Sequence, residues 1–207
     1  LFIRAGLNPY INEADGSTLR NLWAIIGREQ YPPRSPLDNP MYASGPDNPG
    51  RSLLIFGLQL LNYLQYFDWQ WSGFQRHIPV LAPARLLPTL VFVGLGAYGM
   101  LEHRKWDRSS FWFLAGLFAT TSLGLVVYLN FKPGFSIALD RFPDRELHEV
   151  RERDYFFTIS FLCWGLWAGL GVAALFRALR GRLARASAAA LAPVFLVALL
   201  PLLLNFR

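Results

Sequence analysis

Charged residues, lysine and cysteine are all scarce in this 207-residue chain. Asp, Glu, Lys and Arg together make up 16% of it, against about 25% in soluble proteins, whereas hydrophobic residues reach 53%. The single cysteine, Cys163, excludes an internal disulfide. The formal net charge of +6 comes mainly from arginines that stand between apolar blocks and not along one aromatic-rich face, so no nucleic-acid partner is expected. The main solvent of the chain is therefore expected to be lipid.

Apolar residues are gathered in long blocks, and about 20 such residues are what a helix needs to cross a bilayer. Three blocks contain no charged residue, and a fourth has Arg85 near its start, where a long side chain can reach the head groups. The sequence thus predicts an all-α, polytopic membrane protein with four transmembrane helices, an interfacial helix and outer loops. The predicted spans cover residues 83–101, 111–131, 155–176 and 188–206.

The segment Leu53–Phe67 is apolar but short for a crossing. Its polar residues recur at every third position from Gln59 to Asp68, which places them in one stripe along a helix. Tryptophans follow, as in the aromatic belt of a membrane surface. We predict a helix that is capped by Ser52 and lies in the interface, with its polar stripe accessible from the outer side. A fifth crossing is the alternative.

The connecting segments differ in their balance of charges. Residues 177–187 carry four arginines and no acid, and residues 102–110 carry three basic residues. By contrast, residues 132–154 hold five basic and six acidic residues, and residues 1–77 hold six of each. Cytoplasmic loops accumulate Lys and Arg, so segments 1–77 and 132–154 are predicted to lie on the outer side. Since no span in this chain could carry residues 1–77 across, an upstream part of a longer protein is expected.

The predicted outer segment 1–77 has three parts. Ser17 can cap an amphipathic helix whose apolar residues lie at helical spacing within Leu19–Ile26. Residues 28–50 contain six prolines, which exclude helix and sheet and predict a loop. The interfacial helix completes this segment, and residues 78–207 form the predicted four-helix transmembrane region.

Motifs for a metal or a nucleotide cofactor are weak. The run Gly94-Leu-Gly96-Ala-Tyr-Gly99 resembles a dinucleotide fingerprint but lies in a predicted span, where it favours close helix packing, as does the GxxxG spacing of Gly165–Gly169. The histidines lack the spacing of a transition-metal site. Acidic residues within 132–154 would suit Mg²⁺ or Ca²⁺, although the arginines between them explain the pattern as ion pairs. We predict no metal and no cofactor.

The run Arg151-Glu-Arg-Asp-Tyr155 places four charges directly before an uncharged span. Two arginines at a membrane surface could bind a lipid phosphate through forked hydrogen bonds, or could simply anchor the helix. On a helix Arg151 and Asp154 are neighbours and can pair, whereas Arg153 points away from Arg151. Within the phosphate-binding hypothesis, we predict that Arg151 is structural and that Arg153 is the ligand.

Several short motifs occur in a fixed order along the chain. They are Ile3-Arg-Ala with Asn8-Pro and Ile11-Asn-Glu, Arg28-Glu-Gln-Tyr31, Tyr128-Leu-Asn130 and Arg151-Glu-Arg-Asp-Tyr155, with aromatic tracts at 63–71 and 164–171. Together they resemble the middle-to-late part of a bacterial membrane-protein family of unknown function that is related to the eukaryotic transmembrane protein O-mannosyltransferase. The resemblance implies a C-type glycosyltransferase superfold in the bacterial inner membrane, with a polyprenyl-phosphate sugar donor and a periplasmic active site.

The same resemblance implies which residues lie near the donor or acceptor groove. These outer-face residues are Arg28, Gln30, Tyr31, Arg151, Arg153 and Asp154. The family's acidic catalytic residue is expected in a first outer loop upstream of this chain, so no catalytic base is named.

Two functional hypotheses remain open. In the first, the chain is part of a glycosyltransferase-like integral membrane protein whose catalytic first half lies outside it, and its partners are membrane lipids and a polyprenyl-phosphate sugar. In the second, it is a non-catalytic accessory subunit of a larger complex, such as an energy-transducing, respiratory or photosynthetic assembly, and its partners are other membrane subunits. The intact mass in native membranes distinguishes them, because a species near 23.5 kDa indicates a processed subunit.

Overall fold

The computed structural model describes residues 2–10, 15–27, 29, 35–72, 86–183 and 187–205. All regular secondary structure in these ranges is helical, which confirms the predicted all-α class. The chain divides into two compact units, Leu1–Ser35 and Pro36–Arg207. The predicted domain boundary between residues 77 and 78 lies outside the described residues and stays a prediction.

The first unit contains two short helices, α1 at Phe2–Gly6 and α2 at Leu19–Ile26. Helix α2 contains the apolar residues that were predicted to lie on a helix, but its N-cap is Thr18 and not Ser17. The Thr18 hydroxyl accepts a hydrogen bond from the Asn21 N–H at 3.2 Å. Thr18 stands directly before the first helical residue with an extended backbone, which is the geometry that an N-cap requires.

Three helices of the larger unit are long and apolar enough to cross a membrane. They confirm the first three predicted spans and extend them at their charged ends. The first is α4 (Leu86–Trp106). The second span, Arg108–Leu129, joins α5 (Arg108–Ala119), a π-helical turn (Thr120–Gly124) and α6 (Leu125–Leu129). The third span, Asp154–Arg182, joins a 3₁₀ turn (Asp154–Phe157) and α7 (Thr158–Arg182).

The predicted span at 188–206 does not form one continuous α-helix. A 3₁₀-helical stretch at Ala192–Leu199 separates two short α-helices, α8 at Ala188–Leu191 and α9 at Leu200–Asn205. Prolines within this segment remove backbone N–H donors that a continuous α-helix would need. The described residues therefore hold three membrane-length helices, and the fourth crossing stays a prediction.

Helices α4 and α7 approach each other through glycine. A Cβ atom at Gly99 would overlap the Trp167 carbonyl oxygen, and one at Gly171 would overlap a carbonyl of α4. Gly94 and Gly169 face open space. Close packing in the glycine-rich run is therefore present at Gly99, and also at Gly96, where a Cβ would overlap the Trp164 ring. On α7 the contact with α4 is supplied by Gly171. Of the GxxxG pair, Gly165 lies near Trp71 of the helix at Leu53–Ser72, with 4.0 Å between its Cβ position and the Trp71 ring, and a helix contact through Gly169 stays a prediction.

Helices α4 and α7 run parallel. The Trp164 indole N–H donates to the Phe92 carbonyl oxygen at 3.1 Å, and further along both helices the Arg177 guanidinium lies 3.9 Å from the centre of the Trp106 ring. Residue numbers thus increase in the same direction on both helices. This arrangement agrees with the alternation of sides that the charge pattern predicts.

The second span runs antiparallel to α7. Its first residues pack near Trp167, where the Phe111 and Trp167 ring centres are 6.4 Å apart. The residue that follows its C-terminal end, Phe131, lies 5.3 Å from Phe156, next to the start of α7. The bundle therefore has two chemically different ends. We name them the basic end (residues 102–110 and 177–182) and the loop end (residues 130–153).

Helix α3 (Leu53–Ser72) is longer than the predicted Leu53–Phe67. It begins after Ser52 as predicted, and the Ser52 hydroxyl accepts from the N–H of Ile55 at 3.3 Å. Its C-terminal turn packs against α4, where Trp71 stacks on Phe92 at 4.6 Å. The polar stripe is largely buried against protein, so its expected exposure is wrong: Gln59, Asn62 and Asp68 are buried. The interfacial position of the helix stays a prediction.

Candidate functional site

A partly open cavity lies where α3 meets the loop end, and the space that it encloses is about 20 Å³. Its wall has a polar part and an apolar part. The polar part consists of Gln59, Asn62, Tyr63, Tyr66, Lys132, Glu149 and Arg153, and the apolar part of Leu125, Val126, Leu129, Phe131 and Phe157. Helix α6 belongs to a membrane-length span, so its apolar residues lie beside the polar groups at the end of that span. The lining, polar in one part and apolar in the other, matches the head and body of an amphipathic ligand.

The polar stripe of α3 builds one wall of the cavity. Residues 59 and 62 share a helix face, and both side chains bind the chain that leaves α6. The Gln59 amide donates to Asn130 Oδ1 at 3.1 Å and to the Phe131 carbonyl oxygen at 2.5 Å. Asn62 Oδ1 accepts from the Gly134 N–H at 2.8 Å. Asn130 has a left-handed backbone, with φ at 43°, which ends the helix and turns the chain toward α3.

Arg51 fixes the end of α6 against α3. Its guanidinium donates to the carbonyl oxygens of Val126 at 3.0 Å and Val127 at 3.1 Å, and also to Gln59 Oε1. Carbonyls in the last turn of a helix lack helical partners, and a cation is favourable there. Burial lowers the pKa of Arg51, but a guanidinium remains charged at neutral pH. Arg51 therefore holds Gln59 in its position on the cavity wall.

Tyr66 connects α3 to the segment before the third span. Its hydroxyl donates to Glu152 Oε2 at 2.7 Å and accepts from the backbone N–H of Arg153 at 3.1 Å. Burial raises the pKa of this phenol, and Glu152 raises it further. The Tyr66 hydroxyl therefore remains protonated at physiological pH and can donate a hydrogen bond. It also holds the backbone at Arg153 beside the cavity.

Three charged side chains line the cavity: Lys132, Glu149 and Arg153. Glu149 Oε2 accepts from Arg153 Nε at 3.1 Å and lies 3.0 Å from Arg153 Nη2. Lys132 Nζ donates to the Glu146 carbonyl oxygen at 2.6 Å. Burial lowers the pKa of Arg153, but contacts with Tyr155 and Glu149 outweigh this and leave its pKa above the ordinary value. Two cations and one carboxylate give the wall an excess of one positive charge.

Most of the groups in this wall that can still form hydrogen bonds are donors. The neutral side chains already have partners within the protein, as for Tyr63, whose hydroxyl donates to Ser160 Oγ at 3.2 Å. An ammonium has three N–H donors and a guanidinium five, so Lys132 and Arg153 keep donors beyond their protein contacts. A ligand that satisfies such donors carries several acceptor oxygens and a negative charge, as a phosphate does.

The structure separates the residues of the predicted site. Arg153 lines the cavity, whereas Arg151 is exposed and Asp154 is half-buried outside the wall. Residues 151–153 are not helical, because the 3₁₀ turn begins only at Asp154, so the predicted Arg151–Asp154 pair does not form. The predicted positions at Arg28, Gln30 and Tyr31 lie outside the described residues.

Sequence reasoning missed Lys132, Glu149 and Tyr66. Lys132 had a visible signal, because it is one of only two lysines and directly follows the predicted second span. Tyr66 lies on the same helix as the polar stripe that was assigned to water. Glu149 had no signal that set it apart from the other acids of its segment.

Comparisons with protein-family models, with curated proteins and with solved structures found no match. Within the described ranges, no group of three or more His, Cys, Asp or Glu side chains is arranged to hold a metal ion.

Proposed function

We propose that this chain binds the phosphate of a polyprenyl-linked sugar in the cavity at the loop end, as part of a glycosyltransferase-like membrane protein. The observation that carries the proposal is the combination of Lys132 and Arg153 with an apolar wall at the end of the spans. A soluble phosphate would not use the apolar wall, and a neutral lipid would leave the cationic donors unused. A lipid with an anionic head satisfies both parts.

In such an enzyme, the cavity would stabilise the leaving group. An acceptor hydroxyl attacks the anomeric carbon of the sugar and loses its proton to a base, while the bond between this carbon and the phosphate oxygen breaks. Negative charge then grows on the phosphate, and cations fixed beside it lower the energy of the transition state. Lys132 and Arg153 have this role in the proposal. The resemblance to O-mannosyltransferase-related proteins supports the choice of a polyprenyl carrier.

Phosphate binding is tested by removing each cation in turn. Arg153→Gln and Lys132→Gln should each weaken binding of polyprenyl phosphate to the purified protein about ten- to a hundredfold, because each removes a charge-assisted contact. Arg151→Gln is the matched control, since it removes the same charge from an exposed position nearby. Native mass spectrometry of the lipid-bound protein measures all three variants. Equal binding in the Arg153, Lys132 and Arg151 variants would contradict the proposal.

We also propose an inner-membrane location with the loop end on the periplasmic side. The support is the cluster of basic residues at the opposite end of the bundle. Ser109 and Ser136 are exposed near the basic end and at the loop end, respectively. A cysteine introduced at Ser136 should react with an impermeant maleimide in intact cells, and one at Ser109 only with a permeant reagent. The reverse pattern would overturn the orientation.

A further inference from the structure

The basic end carries arginines that the cavity does not use. Five arginines in its described residues are exposed and have no acidic partner there: Arg104, Arg108, Arg177, Arg180 and Arg182. The two acids of this end are already engaged. Glu102 pairs with Lys105, and the Asp107 carboxylate accepts from the N–H groups of Ser109 and Ser110 at the start of α5. The positive charge of this end is therefore not neutralised within the described structure.

Two of these arginines lie against exposed tryptophans. The Arg177 guanidinium carbon is 3.9 Å from the centre of the Trp106 ring, and that of Arg104 is 5.9 Å from Trp112. The two tryptophans are 43% and 63% exposed. Each stands at the end of a membrane-length helix, which is the depth at which tryptophans meet lipid head groups. The contact between Arg177 and Trp106 therefore holds a cation at head-group level between α4 and α7.

We propose that Arg177 and Trp106 form a binding site for an anionic phospholipid of the leaflet at the basic end. The lipid phosphate accepts hydrogen bonds from the outer N–H groups of Arg177, and its acyl chains lie along the apolar surfaces of α4 and α7. The surrounding arginines add attraction for an anionic head group. A zwitterionic lipid has no net charge to satisfy them. This site is independent of the proposed function, because it lies at the other end of the bundle from the cavity.

Lipid retention tests the site directly. The protein is purified in mild detergent, incubated with phosphatidylglycerol or phosphatidylcholine, and analysed by native mass spectrometry. The original chain should retain phosphatidylglycerol in preference to phosphatidylcholine, and Arg177→Gln should reduce this retention about fivefold, as expected for one lost surface charge. Arg151→Gln, which removes an exposed arginine at the loop end, is the control and should retain the lipid fully. Trp106→Leu should reduce retention about two- to fivefold, because it removes the ring that holds the guanidinium.

Equal retention of the two lipids, or an unchanged retention of phosphatidylglycerol in the Arg177 variant, would overturn the proposal. A loss of the same size in the Arg151 variant would also overturn it, because the attraction would then follow total charge and not this site. Binding of polyprenyl phosphate serves as a separate measurement on the same samples. It should remain unchanged in the Arg177 and Trp106 variants.

Discussion

The two ends of the bundle both depend on arginine, but they arrange it differently. At the loop end, Arg153 has a carboxylate partner in Glu149 and lies 5.2 Å from the Phe131 ring. At the basic end, Arg177 lies against the Trp106 ring and has no acidic partner among the described residues. At the loop end, the guanidinium of Arg153 thus binds groups of the protein itself. At the basic end, the guanidinium of Arg177 can bind lipid or solvent.

The loop end should therefore select a ligand by fit to its cavity, whereas the basic end should attract one by charge. The cavity at the loop end is concave and nearly neutral, so a ligand must fit its walls as well as its excess of one positive charge. The basic end is exposed and strongly positive, so it attracts an anionic membrane surface. Salt should therefore weaken binding at the basic end more than binding in the cavity, since exposed charges are screened more strongly than partly buried ones.

The contact between α4 and α7 brings Trp106 and Arg177 together at the basic end. Gly99 and Gly171 let the backbones of the two helices come into contact near their middle. This contact places Trp106 beside Arg177 nearer the C-terminal ends of the helices. The loop end depends much less on this contact, because its network is built by α3 and by the residues that follow α6.

Alanine substitutions at the contact should give the largest effect. Gly99→Ala or Gly171→Ala places a methyl group on a backbone carbonyl of the facing helix, so the helices must separate. Such overpacking costs about 1–3 kcal/mol, and the contact between Arg177 and Trp106 should be lost with it. Thermal unfolding in detergent measures the first effect, and retention of phosphatidylglycerol measures the second.

Gly94→Ala and Gly169→Ala are the matched controls, because a Cβ at either position meets open space. They should be neutral or slightly stabilising, since alanine favours a helix over glycine by about 1 kcal/mol. If all four variants unfold at the same temperature, α4 and α7 do not pack as described.

The three long spans were predictable because an uninterrupted run of apolar residues has few other solutions in a membrane protein. The fourth predicted span shows that apolar composition alone does not ensure a continuous helix. Its composition is as apolar as that of the others, but its prolines remove the hydrogen bonds that a continuous α-helix needs. The apolar composition of a segment indicates that it lies in lipid. Whether the segment forms one continuous helix depends on its backbone hydrogen bonds, which proline removes.

The cavity was only partly predictable. Charge next to a span pointed to Arg153, but the sequence could not show that residues 151–153 are not helical, and the expected pairing of Arg151 depended on a helix there. The polar stripe of α3 was visible as a periodic pattern. Periodicity alone does not tell whether such a stripe faces water or another part of the chain. Tertiary contacts with Asn130, Phe131 and Gly134 decide this.

The two ends also differ in the surroundings of a histidine. His148 is buried at the loop end, and its ring nitrogens face two backbone carbonyl oxygens, Gly134 at 3.1 Å and Phe142 at 2.7 Å. His103 is near the basic end, where Nδ1 accepts from the Trp167 indole at 3.2 Å and Nε2 lies 2.8 Å from the Ser110 hydroxyl. The partners of His148 are carbonyls beside a buried ring, whereas Ser110 is exposed and can bind water instead.

His148→Phe should therefore destabilise the loop end, and His103→Phe the basic end. A phenylalanine at 148 fills the space of the ring but removes its hydrogen bonding to the two carbonyl oxygens, at a cost of about 1 kcal/mol, because the Gly134 oxygen still accepts from the N–H of Ile137. The same change at 103 leaves the buried Trp167 indole N–H without its acceptor. The effect at 148 should also be local: proteolysis within residues 132–150 should accelerate and polyprenyl phosphate binding should weaken, since Lys132 and Glu149 are held by this segment. Equal proteolysis of the loop end in the two variants would show that the carbonyl contacts of His148 do not hold the cavity wall.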